Sequence, residues 1–205
     1  MTMSSPLILL ISAPSGAGKS TVGEALLKET SRLRRVITCT TRPPRAGEVK
    51  GVDYHFLSAD DFAQRVARNE FLEHATVYDR SYGTLKSGVL EQLNTGQDVL
   101  LIIDVQGAAS VRKAAKSDPV LAGALVTVFL SPPSLDELER RLRGRGSDSA
   151  ESLQRRIESA RDEAARWREF DYLVVSGSRE DDLRRLRSIY EAETLRRDRQ
   201  DFNFA

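Results

Sequence analysis

Short apolar runs alternate along the chain with longer stretches in which apolar residues recur every three or four positions. The runs LILLIS (Leu7–Ser12), RVITC (Arg35–Cys39), VDYHFL (Val52–Leu57), VLLIIDV (Val99–Val105), LVTVFL (Leu125–Leu130) and YLVVS (Tyr172–Ser176) predict strands. Helical spacing is present in STVGEALLKETS (20–31), where Val22, Leu26 and Leu27 share a face. It recurs in SADDFAQRVARNE (58–70), LKSGVLEQLNTG (85–96), GAASVRKAAK (107–116) and SLDELERRLRG (134–144). Two longer stretches, ESLQRRIESARDEAARWREF (151–170) and REDDLRRLRSIYEAETLRR (179–197), complete the set. Ser58 with Asp61, and Ser134 with Glu137, have the spacing of capping boxes. Such alternation predicts an α/β fold built on a parallel sheet.

Two regions interrupt the alternation. From about Thr38 to Thr84 the chain is rich in Pro, Gly, Thr and Tyr, which predicts a small insertion with short strands around one helix. Between two helices, GRGSDSAES (Gly144–Ser152) reads as a mobile lid, a device that excludes water from reacting nucleotides.

Chemistry enters at ISAPSGAGKST (Ile11–Thr21), a Gly-rich turn between the first strand and the first helix. There Gly16 and Gly18 let the backbone wrap closely, and its N–H groups line a positive helix end. Lys19 is placed to reach β- and γ-phosphates and the Ser20 hydroxyl to ligate Mg²⁺, so the turn reads as a P-loop holding a nucleoside triphosphate over Ala13, Pro14, Ser15, Gly16, Ala17, Gly18, Lys19, Ser20 and Thr21. The motif ordinarily opens on Gly, and Ala13 stands there instead. Asp104 ends a buried strand, where an unpaired acid is unfavourable. It is either a second Mg²⁺ ligand or the N-cap of the helix that contains Gly107.

Arg42 and Arg45 lie on the Pro-braced loop TTRPPRAGE (40–48), either converging on a phosphate or standing in solvent. Tyr54 and Tyr82 either complete that cage through their hydroxyls or pack in a core.

Composition narrows the field. With 205 residues the chain can bury a sizeable core. Its 31 basic and 30 acidic residues give no reason to expect nucleic acid or an anionic membrane as partner. The basic LRRDR (195–199) reads as a solvated helix face. Cys39 is the only cysteine, so no intrachain disulfide exists, and the absence of a membrane-length apolar run or a basic leader points to the cytoplasm.

In this order, APSGAGKST, TTRPPRAGEVKGVDYHF, FLEHATVYDRSYGT, IDVQGA and RLRGRG resemble guanylate kinase. The resemblance runs from the P-loop to the long helix. It implies a P-loop nucleotide-kinase core (1–37, 85–134 and 157–205), a GMP-binding insertion of mixed α/β structure (38–84) and a helical lid (135–156). It also implies reversible phosphoryl transfer from ATP to GMP, and by extension dGMP, with Mg²⁺ as cofactor. On the matching positions Thr38, Glu73, Tyr82, Gly83, Thr84 and Asp104 meet GMP, Arg42, Arg45 and Tyr54 hold its phosphate, and Glu48 supports the loop. Arg141, Arg145 and Arg156 match lid arginines that close on the transferring phosphoryl, joining Lys19 and Arg42. Two positions depart from the pattern: Ile102 where relatives often carry an acid, and Ser176 where they often carry Asn near the adenine. The alternatives are an inactive guanylate-kinase-like binding module, which typically lacks the P-loop, and a P-loop kinase for another phosphate acceptor.

Overall fold

The computed structural model describes residues 4–77, 79–143 and 150–201. A five-stranded sheet forms its centre: β1 (Ile8–Ser12), β2 (Leu33–Arg35), β7 (Asp98–Ile102), β8 (Leu125–Ser131) and β9 (Tyr172–Val175) in the order β2-β7-β1-β8-β9. Every pairing in it is parallel. Parallel strands need crossovers, and the crossovers lay helices on both faces. β1 shows the result: all five of its residues are buried. Leu9 and Ile11 face a core shared with Val22 and Leu26 of α1 (Lys19–Glu29) and Leu186 and Tyr190 of α8 (Arg179–Thr194). Ile8 and Leu10 face the opposite core, with Val89 and Leu93 of α3 (Lys86–Asn94), Ala108 and Val111 of α4 (Val105–Ala115) and Leu121 of α5 (Pro119–Ala124).

A second sheet is built from β3 (Cys39–Thr40), β4 (His55–Phe56), β5 (Phe71–Val77) and β6 (Arg80–Leu85), ordered β4-β3-β6-β5. With α2 (Ala59–Ala67) it encloses a small core of Cys39, Phe62 and Phe71. The last unit pairs α6 (Leu135–Arg143) with α7 (Ala150–Ala165) around Leu138, Leu142, Ile157 and Ala160.

Several sequence expectations change in detail. The run RVITC divides: β2 joins the central sheet and β3 the second, with Val36–Thr38 between them. VDYHFL contracts to the two residues of β4. The long helix ends at Ala165 and a 3-10 turn (Arg166–Glu169) carries the chain to β9. α5 lacks a periodic pattern and is set by local chemistry, with Asp118 as N-cap and Pro119 in the first turn. The Ser58 and Ser134 hydroxyls do accept from the Asp61 and Glu137 N–H groups, at 3.0 and 3.1 Å. Glu137, however, turns its carboxylate to Arg140 and Arg141, so only half of that box forms. LRRDR is solvated only in part: Leu195–Asp198 are exposed, but α8 stops at Thr194 and Arg199 is buried 3.8 Å from the Glu193 carboxylate.

The amino-terminal edge of the central sheet is tied by one fully buried carboxylate. Asp98 Oδ1 accepts from the Leu7 N–H at 2.9 Å, Oδ2 accepts from the Tyr190 hydroxyl at 2.6 Å, and Arg32 Nε lies 3.3 Å from Oδ2. Burial and this bond to Asp98 push the Tyr190 hydroxyl well above the usual phenol range. Tyr190→Phe is expected to lower stability by about 1.5–3 kcal/mol, the worth of a hydrogen bond to a charged group. Urea unfolding should show the midpoint falling at constant slope.

Candidate functional site

The polar chemistry collects where the central strands end. β1 delivers the P-loop, and α1 starts directly behind it at Lys19. Gly16 and Gly18 hold φ of 92° and 94°, a region closed to most side chains, and Gly18 is the N-cap of α1. The conformation of the turn therefore depends on those two residues. Ala13 and Ala17 are buried, Ser15 and Lys19 half-buried, and Ser20 and Thr21 exposed.

A cleft of about 890 Å³ opens beside this loop and reaches the second sheet. Ala13, Ser15, Lys19 and Ser20 line it from the P-loop side, with Ile102 and Asp104 from the end of β7. Glu73 and Tyr82 line it from the second sheet, with Thr38 just before β3 and Tyr54 just before β4. Residues far apart in sequence thus share one cavity. Among the described residues no three His, Cys, Asp or Glu side chains converge as a metal cage. What the cleft offers is the hydroxyl of Ser20 and the carboxylate of Asp104, the hard oxygen donors that suit Mg²⁺ carried in with phosphates.

Asp104 is the N-cap of α4, and its Oδ1 accepts from the Gly107 N–H at 2.7 Å. Capping and exposure to the cleft coexist at this residue. Glu73 is buried, where the sequence alone would equally allow an exposed strand position. Its Oε1 accepts from the Thr84 hydroxyl at 2.6 Å. Burial pushes the Glu73 carboxyl above the usual carboxylate range; the Thr84 hydroxyl opposes this and the Asp104 charge reinforces it. Gly83, also on β6, lies against the Phe71 ring, 2.8 Å from where a Cβ would stand.

The Pro-braced loop organises itself around Glu48. Arg42 donates to both Glu48 oxygens at 3.0 and 2.7 Å, and the Arg45 N–H donates at 2.7 Å. These donors hold the Glu48 carboxyl below its usual range, the Arg42 bond most strongly. Arg42 lies over the Tyr54 ring, 5.3 Å from its centroid, and Tyr54 meets Tyr82 edge-on at 6.4 Å. Arg42, Arg45 and Glu48 stand beside the cleft rather than in its wall, and the Arg45 side chain is exposed.

Helices α6 and α7 press on the P-loop. Leu142 of α6 lies 3.0 Å from the position of a Gly16 Cβ. Arg156 Nη2 donates to Ser15 Oγ at 3.3 Å, and Arg141 Nη1 reaches the Ala17 carbonyl at 3.5 Å. Arg145 lies outside the described residues, as does the 144–149 part of the proposed lid segment.

Several cleft residues escaped the sequence reading: Glu24, Arg35, Gln106, Arg155, Ser159 and Glu163. Glu163 accepts from the Ser15 N–H at 3.0 Å, so a carboxylate sits at the loop that a phosphate would use. Only Gln106, within IDVQGA, belonged to a recognisable motif. Of the two departures, Ile102 lines the cleft and packs toward Gly23 of α1. Ser176 turns away, donating to Asp182 Oδ2 at 2.7 Å at the start of α8.

The raised Glu73 pKa has a definite sign in stability. Above the folded pKa, both folded and unfolded chains carry the ionised group, and the folded protein bears the full penalty of burying it. As pH falls through the folded pKa toward the unfolded one, the folded protein takes up the proton first and the penalty disappears. Glu73→Gln is therefore expected to stabilise the ligand-free protein at about pH 7.5, an advantage that vanishes near about pH 4. Urea midpoints of the two proteins across that range check this.

Comparison with known proteins agrees with this architecture. The guanylate kinase family model matches residues 4–193. A guanylate kinase of Hydrogenovibrio crunogenus is 49% identical over 185 residues, covering 90% of this chain and 87% of that protein. One from Paramagnetospirillum magneticum is 45% identical over 194 residues, with 95% and 88% covered. The crystal structure of guanylate kinase from Anaplasma phagocytophilum superimposes with a TM-score of 0.75 at 29% identity, covering 97% of this chain and 92% of that one. Fold, family model and relatives along nearly the whole length agree, and the chain belongs to the guanylate kinase family.

Proposed function

We propose that the chain transfers the γ-phosphoryl group of ATP to GMP, and to dGMP, reversibly, giving ADP and the nucleoside diphosphate. The observation that carries this reading is the shared cleft: the buried Glu73 carboxylate lines the same cavity as Lys19 and Ser20 of the P-loop. Guanine presents N1–H and N2–H donors side by side, whereas adenine presents an acceptor at N1. A carboxylate accepts two parallel bonds, so Glu73 matches the first base and repels the second. Thr38 donates its hydroxyl proton to the O6 acceptor, and Thr84 holds the other side of Glu73. Asp104 completes the base pocket.

Arg42, Arg45, Tyr54 and Tyr82 form the cage for the GMP phosphate, with Glu48 fixing the Arg42 fork. Gly83 keeps β6 close behind it. The P-loop residues Ala13 to Thr21 receive the ATP phosphates. Ser20 and Asp104 would hold Mg²⁺, which would neutralise charge on the phosphate oxygens. Lys19, Arg141, Arg145 and Arg156 add positive charge around the transferring group. The GMP phosphate oxygen is already anionic, so positioning and charge stabilisation suffice without a general base. Intact Lys19 and Ser20 support an active kinase over a binding module, and the match to Glu73 supports GMP over another acceptor.

No helix among the described residues is long and apolar enough to cross a membrane. Burial raises the Cys39 thiol to about 11, which keeps it inert, and a cytoplasmic setting suits this single thiol.

The test is ADP formation from ATP with GMP, AMP, CMP or UMP, in the parent and two variants. GMP should be the preferred acceptor. Glu73→Gln should lower kcat/KM for GMP by about 10²-fold or more, with the KM for ATP unmoved, because it replaces a charged acceptor by a donor facing a donor. Lys19→Met should lower kcat by about 10³-fold with the fold retained. A Glu73→Gln enzyme as active on GMP as its parent would move base selection elsewhere.

A further inference from the structure

The pairing of β5 with β6 is irregular between Phe71 and Glu73: Phe71 pairs with Leu85 and Glu73 with Thr84, so Leu72 is an extra residue. Bulges of this kind re-aim side chains beside functional sites. Phe71, Leu72 and Glu73 are all buried, an arrangement that regular alternation would not give to an edge strand. Leu72 enters the core that holds Ala108 and Val111 of α4, and Glu73 comes to rest against the first turn of that helix.

The contact point is Gly107. A Cβ built there would stand 2.9 Å from Glu73 Oε2, and 3.4 Å from both Cβ and Cδ1 of Ile103. The backbone of Gly107 is fixed as well, since its N–H donates to Asp104 Oδ1 at 2.7 Å. A methyl group would thus be wedged between Ile103 and a carboxylate, on a turn that cannot retreat without breaking the Asp104 cap. The mobile party is Glu73, whose other oxygen is held by Thr84. The backbone at Gly107 is helical, so glycine is not required there by φ, and alanine is the better helix former. What glycine supplies is room.

We propose that Gly107 is a positioning residue for guanine selection: its missing side chain seats the Glu73 carboxylate, and its N–H holds Asp104, so that one residue sets the spacing of the two acids that face the base. This rests on Glu73 as the guanine-binding carboxylate.

The experiment is a double-mutant cycle of Gly107→Ala and Glu73→Ala, reading kcat and KM for GMP and ATP and the thermal midpoint. Gly107→Ala is expected to fold with a midpoint near the parent's, to raise the KM for GMP more than it lowers kcat, and to leave the KM for ATP unchanged. The loss in kcat/KM for GMP should be about 10- to 100-fold, the effect of displacing a recognition group by about an ångström. In the Glu73→Ala background, with no carboxylate to displace, Gly107→Ala should change kcat/KM for GMP by less than about threefold. A Gly107→Ala enzyme with parental GMP kinetics overturns the proposal if Glu73→Ala alone is impaired, whereas an unimpaired Glu73→Ala enzyme overturns the underlying assignment. Losses that multiply in full, or a matching rise in the KM for ATP, would mean that the methyl acts through some group other than Glu73, and the proposal falls. Should Gly107→Ala fail to fold, the double variant decides: recovery of folding upholds the steric conflict with Glu73, and continued failure refutes it.

Discussion

An all-parallel sheet covered by helices on both sides leaves polar chemistry only one exit, the carboxyl ends of its strands. The rest of this molecule depends on that constraint. β1 is buried along its whole length, yet it runs directly into the P-loop. β7 beside it runs to Ile102, with Ile103 and Asp104 directly behind. The register that pairs Ile11 with Ile102 brings the ends of the two strands level, so the P-loop and Asp104 line one cleft without any side chain reaching for the other.

The second sheet brings a buried carboxylate to that cleft, at some loss of stability. Glu73 is buried beside another acid, a placement that a protein selected only for folding would avoid. The bulge in β5, the Thr84 hydroxyl and the gap at Gly107 together make the site tolerable for a charge. Glu48 has the opposite setting. It is held below the usual carboxylate range by Arg42, and its task is to fix a guanidinium fork and the backbone of its own loop. Two glutamates in the same subdomain therefore carry different electrostatics because one lies among buried neighbours and the other beside a cation.

The contact of α6 and α7 with the P-loop has a similar character. Leu142 packs over Gly16 while Arg156 meets Ser15, so an apolar contact and a cationic one reach the loop together. Glu163 supplies an anion to the Ser15 N–H, a group of the kind that phosphates seek.

Much of this was legible in the sequence, for local reasons. Strand, glycine turn and helix start specify the P-loop because backbone conformation at Gly16 and Gly18 is a property of those residues. β1, β7 and β8 stood out because burial on both faces leaves an unbroken apolar run, whereas β2, with two exposed arginines, gave no such signal. Ser58 and Ser134 could be assigned as caps because capping is settled within four residues. Resemblance supplied Glu73, Thr84 and the lid arginines, for which spacing alone gave no decision. Tertiary structure decided the remainder. RVITC looks continuous, but its two ends pair with different sheets, and no local signal marks the division. Arg199 reads as solvated until Glu193 and the Ala124 carbonyl are brought beside it. Asp104 could be a cap or a cleft residue on sequence grounds, and it is both because α4 begins where β7 opens onto the cavity. The meaning of Gly107 was decided last. Its neighbours in sequence place it in a helix, where glycine is a poor choice, and only the approach of Glu73 from another sheet gives the missing methyl a physical reason.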